Sequence, residues 1–139
     1  MVEKDIILAK TATIQRCLQR IKESTQLVPS SLEDFDIQDI FVLNLQRAVQ
    51  AAIDIATHVI VSEGWELPDT LKKHFAILEQ KKVLDHQLSE QLQKMIGFRN
   101  IAVHDYQSIN IEVLKNILLK NLTDLETFYH KIIDRYELN

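Results

Sequence analysis

The chain has 139 residues, 46% of them apolar and 26% charged, and its formal net charge is −4. That length suits a single domain spanning residues 1–139 with a core of its own, and the acidic balance counts against a dedicated nucleic-acid-binding module, which is usually basic. Two glycines and two prolines disfavour a turn-rich β architecture, and a lone cysteine, Cys17, excludes an internal disulfide, which fits a reducing cytosol.

Near the N-terminus, Ile7, Ile14, Leu18 and Ile21 recur at helical spacing and predict a first helix over residues 4–25. Cys17 falls in the same stripe and reads as a small buried hydrophobe. The segment "STQLVPSSLEDF" is a connection. Asp36 is the expected cap of a second helix that runs to about Glu63, where Gly64 is a natural stop. Its apolar positions include Ile40, Phe41, Leu45, Ala48, Ala52, Ile55 and Val59. Pro68 suits the first turn of a short third helix, roughly 68–80. Asp85 or Ser89 caps a fourth helix with Leu88, Leu92, Met95 and Ile96 facing inward and Arg99 near its end. Asn110 caps a last helix reaching about Tyr136. The fold class expected is all-α: an up-and-down bundle of four to five helices, with stripes that also suit a coiled-coil-like dimer.

No run approaches the ~18 apolar residues that a membrane span needs. The opening "MVEKDIILAK" carries Glu3 and Asp5 where a signal peptide would be basic. A cytoplasmic protein without membrane contact is therefore expected. Charge is segregated along the chain: residues 71–100 are net basic, whereas "SSLEDFDIQD" is acidic.

Two clusters carry chemistry. On the second helix, Asn44, Arg47, Asp54 and His58 share one seam, either a solvated face with local ion pairs or a polar network facing a cleft or a partner. The other is "RNIAVHDY", residues 99–106. An arginine holds an anion with a fixed fork of donors, and a histidine can take and return a proton near neutrality. Asn100 offers an amide, and Tyr106 a ring and a hydroxyl. On a continuous helix Arg99 and His104 point about 140° apart, too far to serve one small group together. Either the helix ends between them, or each meets counterparts from another subunit. His104, Asp105 and Tyr106 read best as the exit of the fourth helix. No serine is placed as a nucleophile, and there is no Gly-rich phosphate loop. The acid–histidine pairs Asp54/His58 and Glu126/His130 each share a helix face, as metal ligands would, but the Glu-x-x-His spacing of di-iron bundles is missing.

"RNIAVHDY" matches the R-x4-H-x-Y pattern of HEPN-domain ribonuclease toxins at Arg99, His104 and Tyr106, and Asn100 after the arginine matches as well. "LNLQRAVQAAIDIATHVI" and "LQKMIGFRNIAVHDY" resemble the second helix and the motif helix of the HepT branch of that family, and the resemblance covers nearly the whole chain. It implies a HEPN-like bundle that dimerises and pairs two motifs across a cleft. It also implies cleavage of RNA without a metal or other cofactor, with Arg99 and His104 catalytic and Asn100 supporting. The implied partner is a small MntA-type nucleotidyltransferase antitoxin that moves AMP from ATP onto Tyr106. Some HEPN proteins instead bind nucleotides or a nucleotidyltransferase without cutting RNA, and that is the alternative.

Overall fold

The computed structural model describes residues 1–139. Helix α1, Lys4–Thr25, buries Ile7, Ile14, Cys17, Leu18 and Ile21 on one face. It ends where Gln26 turns left-handed and its N–H returns to the carbonyl of Lys22. A 3-10 turn, Pro29–Glu33, leads to α2, Phe35–Ser62. The cap of α2 is Asp34, not Asp36: the Asp34 Oδ1 accepts the N–H groups of Asp36 and Ile37 at 2.9 and 3.1 Å. Asp36 thus lies inside the first turn, where its charge still favours the positive end of the helix. At the far end Gly64 stops the helix with φ +74°, a value that glycine adopts without steric cost.

Helix α3 is Leu71–Gln80, shorter than expected. Thr70 provides the cap, its hydroxyl accepting from the Lys73 N–H, so Pro68 stays in the extended segment ahead of the helix. Helix α4, His86–His104, is capped by Asp85, which accepts from the Leu88 N–H at 2.8 Å. Ser89, the other candidate cap, is buried within α4 and donates to the Phe75 carbonyl, binding α4 to α3. Outside that joint, His86 lies between Glu79 and Glu90, and the carboxylate of Glu79 holds its imidazolium form above the usual pKa. A 3-10 turn, Tyr106–Ser108, leads on to α5, Ile111–Asn116, capped by Asn110. This continues through a π-helical stretch, Ile117–Asn121, into α6, Leu122–Arg135.

The architecture is an all-α bundle of five helices, with α5 and α6 forming one long element. Helices α1 and α2 pack antiparallel, as pairings of Glu3 with His58 and of Lys10 with Asp54 show. Helix α6 closes the bundle against α1, α2 and α4. Within the core, Phe41, Phe75 and Phe128 are fully buried, and Phe75 meets Phe128 edge to face at 5.5 Å. Each such ring contributes roughly 1.5–3 kcal/mol through burial, which makes the interior the main source of stability. No helix is long and apolar enough to cross a membrane.

Candidate functional site

The motif residues ride on α4 and the turn after it. No glycine or proline interrupts residues 99–104, and Ala102 is buried against the core, so α4 continues through His104. Of the two alternatives, a helix end between Arg99 and His104 is excluded: the exit falls at His104 and Asp105, within the stretch expected, with His104 as the last helical residue and not just beyond it. The helix closes one residue later, with the Asp105 N–H on the Ile101 carbonyl at 2.8 Å. Arg99 and His104 therefore diverge by about 140° around one axis. Arg99 is half-buried and tied to α2, whereas His104 is exposed and makes no side-chain hydrogen bond.

Arg99 is held by Asn100, the expected support, and by Gln50, which had no signal in the sequence. Its Nη2 donates to the Gln50 Oε1 at 2.9 Å, and its Nη1 to the Asn100 Oδ1 at 3.2 Å. Gln50 in turn donates to the Asp54 Oδ1 at 3.0 Å, and Lys10 donates to the Asp54 Oδ2 at 2.9 Å. One chain of polar contacts thus runs from α4 across α2 to α1. Asn100 acts as a support for the guanidinium. The Arg99 Nε is buried without a partner. Such an orphan donor typically costs about 1–3 kcal/mol, which the packing around Arg99 must offset.

The second-helix seam divides into separate roles. Asn44 is buried and donates back to the Ile40 carbonyl at 2.8 Å. Arg47 and Asp54 line a groove between α1 and α2. His58 accepts the Glu3 N–H at 2.9 Å and so ties down the start of α1. Of the acid–histidine pairs, Asp54 is engaged by Lys10 and Gln50, Glu126 pairs with Lys22, and the His130 ring lies tilted against Tyr129. No group of three or more potential metal ligands comes together.

Tyr106 crosses from the turn after α4 to the start of α2, where its hydroxyl donates to the Asp39 carboxylate. Asp39, like Gln50, is remote in sequence from its partner and had no signal in the spacing. Burial of the phenol, with the neighbouring carboxylate second, pushes the Tyr106 pKa up to about 12. A raised phenol pKa adds stability that is complete below the ordinary value near 10 and lost as pH climbs toward 12. Asp39→Asn is expected to bring the Tyr106 titration down toward 10 without reaching it, since burial is the larger cause. NMR titration of tyrosine-labelled protein checks this; an unmoved midpoint would show that Asp39 does not govern the hydroxyl. The largest concavity, about 690 Å3, lies around Trp65, Pro68 and Lys81, and none of the motif residues lines it.

Fold and site together define a helical-bundle protein carrying an R-x4-H-x-Y helix whose arginine is preorganised and whose histidine and tyrosine are exposed. A sequence model of the family described as Ribonuclease HepT-like matches residues 14–132. The chain is 40% identical over 124 residues to the mRNA nuclease HepT of Shewanella oneidensis, covering 89% of this chain and 93% of that one. It is 30% identical over 110 residues to the tRNA nuclease HepT of Aphanizomenon flos-aquae, covering 78% of this chain and 75% of the relative. It also superposes on the tri-AMPylated Shewanella oneidensis HEPN toxin solved in complex with MNT antitoxin, with a TM-score of 0.88 and 40% identity over 94% of this chain and 98% of that one. The chain belongs to the HepT-like ribonuclease family.

Proposed function

We propose that this protein is the toxin of a HepT/MntA-type toxin–antitoxin pair, a cytoplasmic endoribonuclease that requires no metal. The observation that carries the reading is the placement of Arg99 and His104 on one uninterrupted helix of a HepT-like bundle. A single chain turns them apart, so a working site is assembled from two copies whose motif helices face each other across a twofold axis. RNA lies in the cleft between them.

The ribose 2′-oxygen attacks the adjacent phosphorus, and His104 of one copy takes the hydroxyl proton. His104 of the second copy gives a proton to the departing 5′-oxygen as the P–O bond breaks. Arg99, fixed by Gln50 and Asn100, offsets the charge that grows on the phosphoryl oxygens. The products are a 2′,3′-cyclic phosphate and a 5′-hydroxyl. The antitoxin, a nucleotidyltransferase using ATP, silences the toxin by placing AMP on Tyr106, two residues from His104.

Incubating the protein with single-stranded RNA in EDTA and mapping the fragment ends is the direct test. Cyclic-phosphate and 5′-hydroxyl termini are expected. Fragments with 5′-phosphates, or a strict metal requirement, would overturn the mechanism, and RNA bound but never cut would mark a non-catalytic binding module.

A further inference from the structure

Four of the five arginines in the chain gather at one corner of the bundle, although the net charge is negative: Arg16, Arg20, Arg47 and Arg99, with only Arg135 elsewhere. Arg16 and Arg20 of α1 face Arg47 of α2 across a groove of about 340 Å3, whose lining also includes Gln50 and Asp54. Asp54 is already engaged by Lys10 and Gln50. Arg16, Arg20 and Arg47 are exposed and make neither an ion pair nor a side-chain hydrogen bond. Like charges left together without compensation repel one another, and an anion in the groove would relieve that repulsion. Gln50 lines this groove and also accepts from Arg99, so a single side chain links the groove to the Arg99 guanidinium.

We propose that the α1/α2 groove is an RNA backbone track: Arg16, Arg20 and Arg47 bind phosphates flanking the scissile one and lead the strand to Arg99. The inference rests on the ribonuclease reading above and adds to it a binding subsite outside the motif. Guanidinium forks suit phosphate oxygens, and contacts made only to the backbone carry no base preference. The track therefore supplies affinity and register, not sequence choice. It also explains how an acidic protein holds a polyanion, because the relevant charge is local.

The test compares the intact chain with the triple variant Arg16→Gln/Arg20→Gln/Arg47→Gln, with Arg135→Gln as a control. Binding of an oligouridylate is followed against salt in a His104→Ala background, so that the probe survives. Each phosphate contact to a single strand contributes about 0.7 to the slope of log affinity against log salt, so losing three should flatten it by about 2. In the cleaving background the loss should fall on KM, and Arg135→Gln should leave the slope unchanged. An unaltered slope and affinity in the triple variant would overturn the proposal. So would intact RNA binding with weakened self-association or antitoxin binding, which would make the groove a protein interface. A parent chain inert toward RNA would defeat the underlying ribonuclease reading as well, so the two failures are distinguishable.

Discussion

His104→Ala is expected to abolish RNA cleavage, with a loss of about 10²–10⁴-fold for each proton transfer removed. The helical circular-dichroism spectrum should not change, because His104 is exposed and bonds to nothing in the bundle. Arg99→Ala is also expected to be severe, but for a different reason: it removes the charge proposed to steady the transition state and strands the amides of Gln50 and Asn100. Arg99→Lys should rescue little, since one ammonium cannot replace a fork that two separate carbonyl oxygens hold in place. Single-turnover cleavage of a labelled RNA measures both effects. A His104→Ala variant that cuts at the parental rate would sink the proposed chemistry.

Tyr106→Phe is expected to produce a toxin that its antitoxin cannot modify. In the proposed modification the phenol oxygen would attack the α-phosphorus of ATP, pyrophosphate would depart, and the phenol proton would leave toward Asp39, to which the hydroxyl already donates. The Asp39 carboxylate is placed to receive that proton. The attached AMP would put a bulky anion two residues from His104, blocking the cleft and repelling RNA phosphate. Removing the oxygen removes the only acceptor at this position. Mass spectrometry after incubation with antitoxin and ATP should find the Tyr106→Phe protein unmodified and still cleaving, while the parent gains AMP and falls silent. Growth assays should give the same contrast: co-expressed antitoxin rescues cells from the parent and not from the variant. Modification of the variant at an unchanged level would place the target elsewhere.

The apolar spacing made the helices legible: Ile7, Ile14, Leu18 and Ile21 of α1, and Phe41, Leu45, Ala48, Ala52, Ile55 and Val59 of α2, are all buried. Helix ends were harder, because several residues compete for each cap. Asp34 prevails over Asp36 by accepting two backbone N–H groups, and the third helix starts after Thr70, whose hydroxyl reaches the Lys73 N–H, and not with Pro68 in its first turn. The motif itself could be read from its residue types, but its supports could not. Gln50 and Asp39 meet Arg99 and Tyr106 only through the packing of α2 beside α4 and the turn after it, contacts between residues 49 and 67 positions apart. The basic bias of residues 71–100 was likewise an incomplete guide. Lys73 is paired with Asp69 and Lys94 with Glu90, while the arginines beside Gln50 come from α1 and α2.

Because α4 runs unbroken through Arg99 and His104, the proposed reaction centre needs two copies, and an isolated molecule would hold only half of it. Activity would then follow mass action, rising with the square of toxin concentration until association saturates. A cell holding a few stray copies would suffer little, and harm would set in steeply once synthesis outpaced dilution. Such a threshold lets a slow enzymatic antidote keep control, since it has only to mark newly made chains before they find one another.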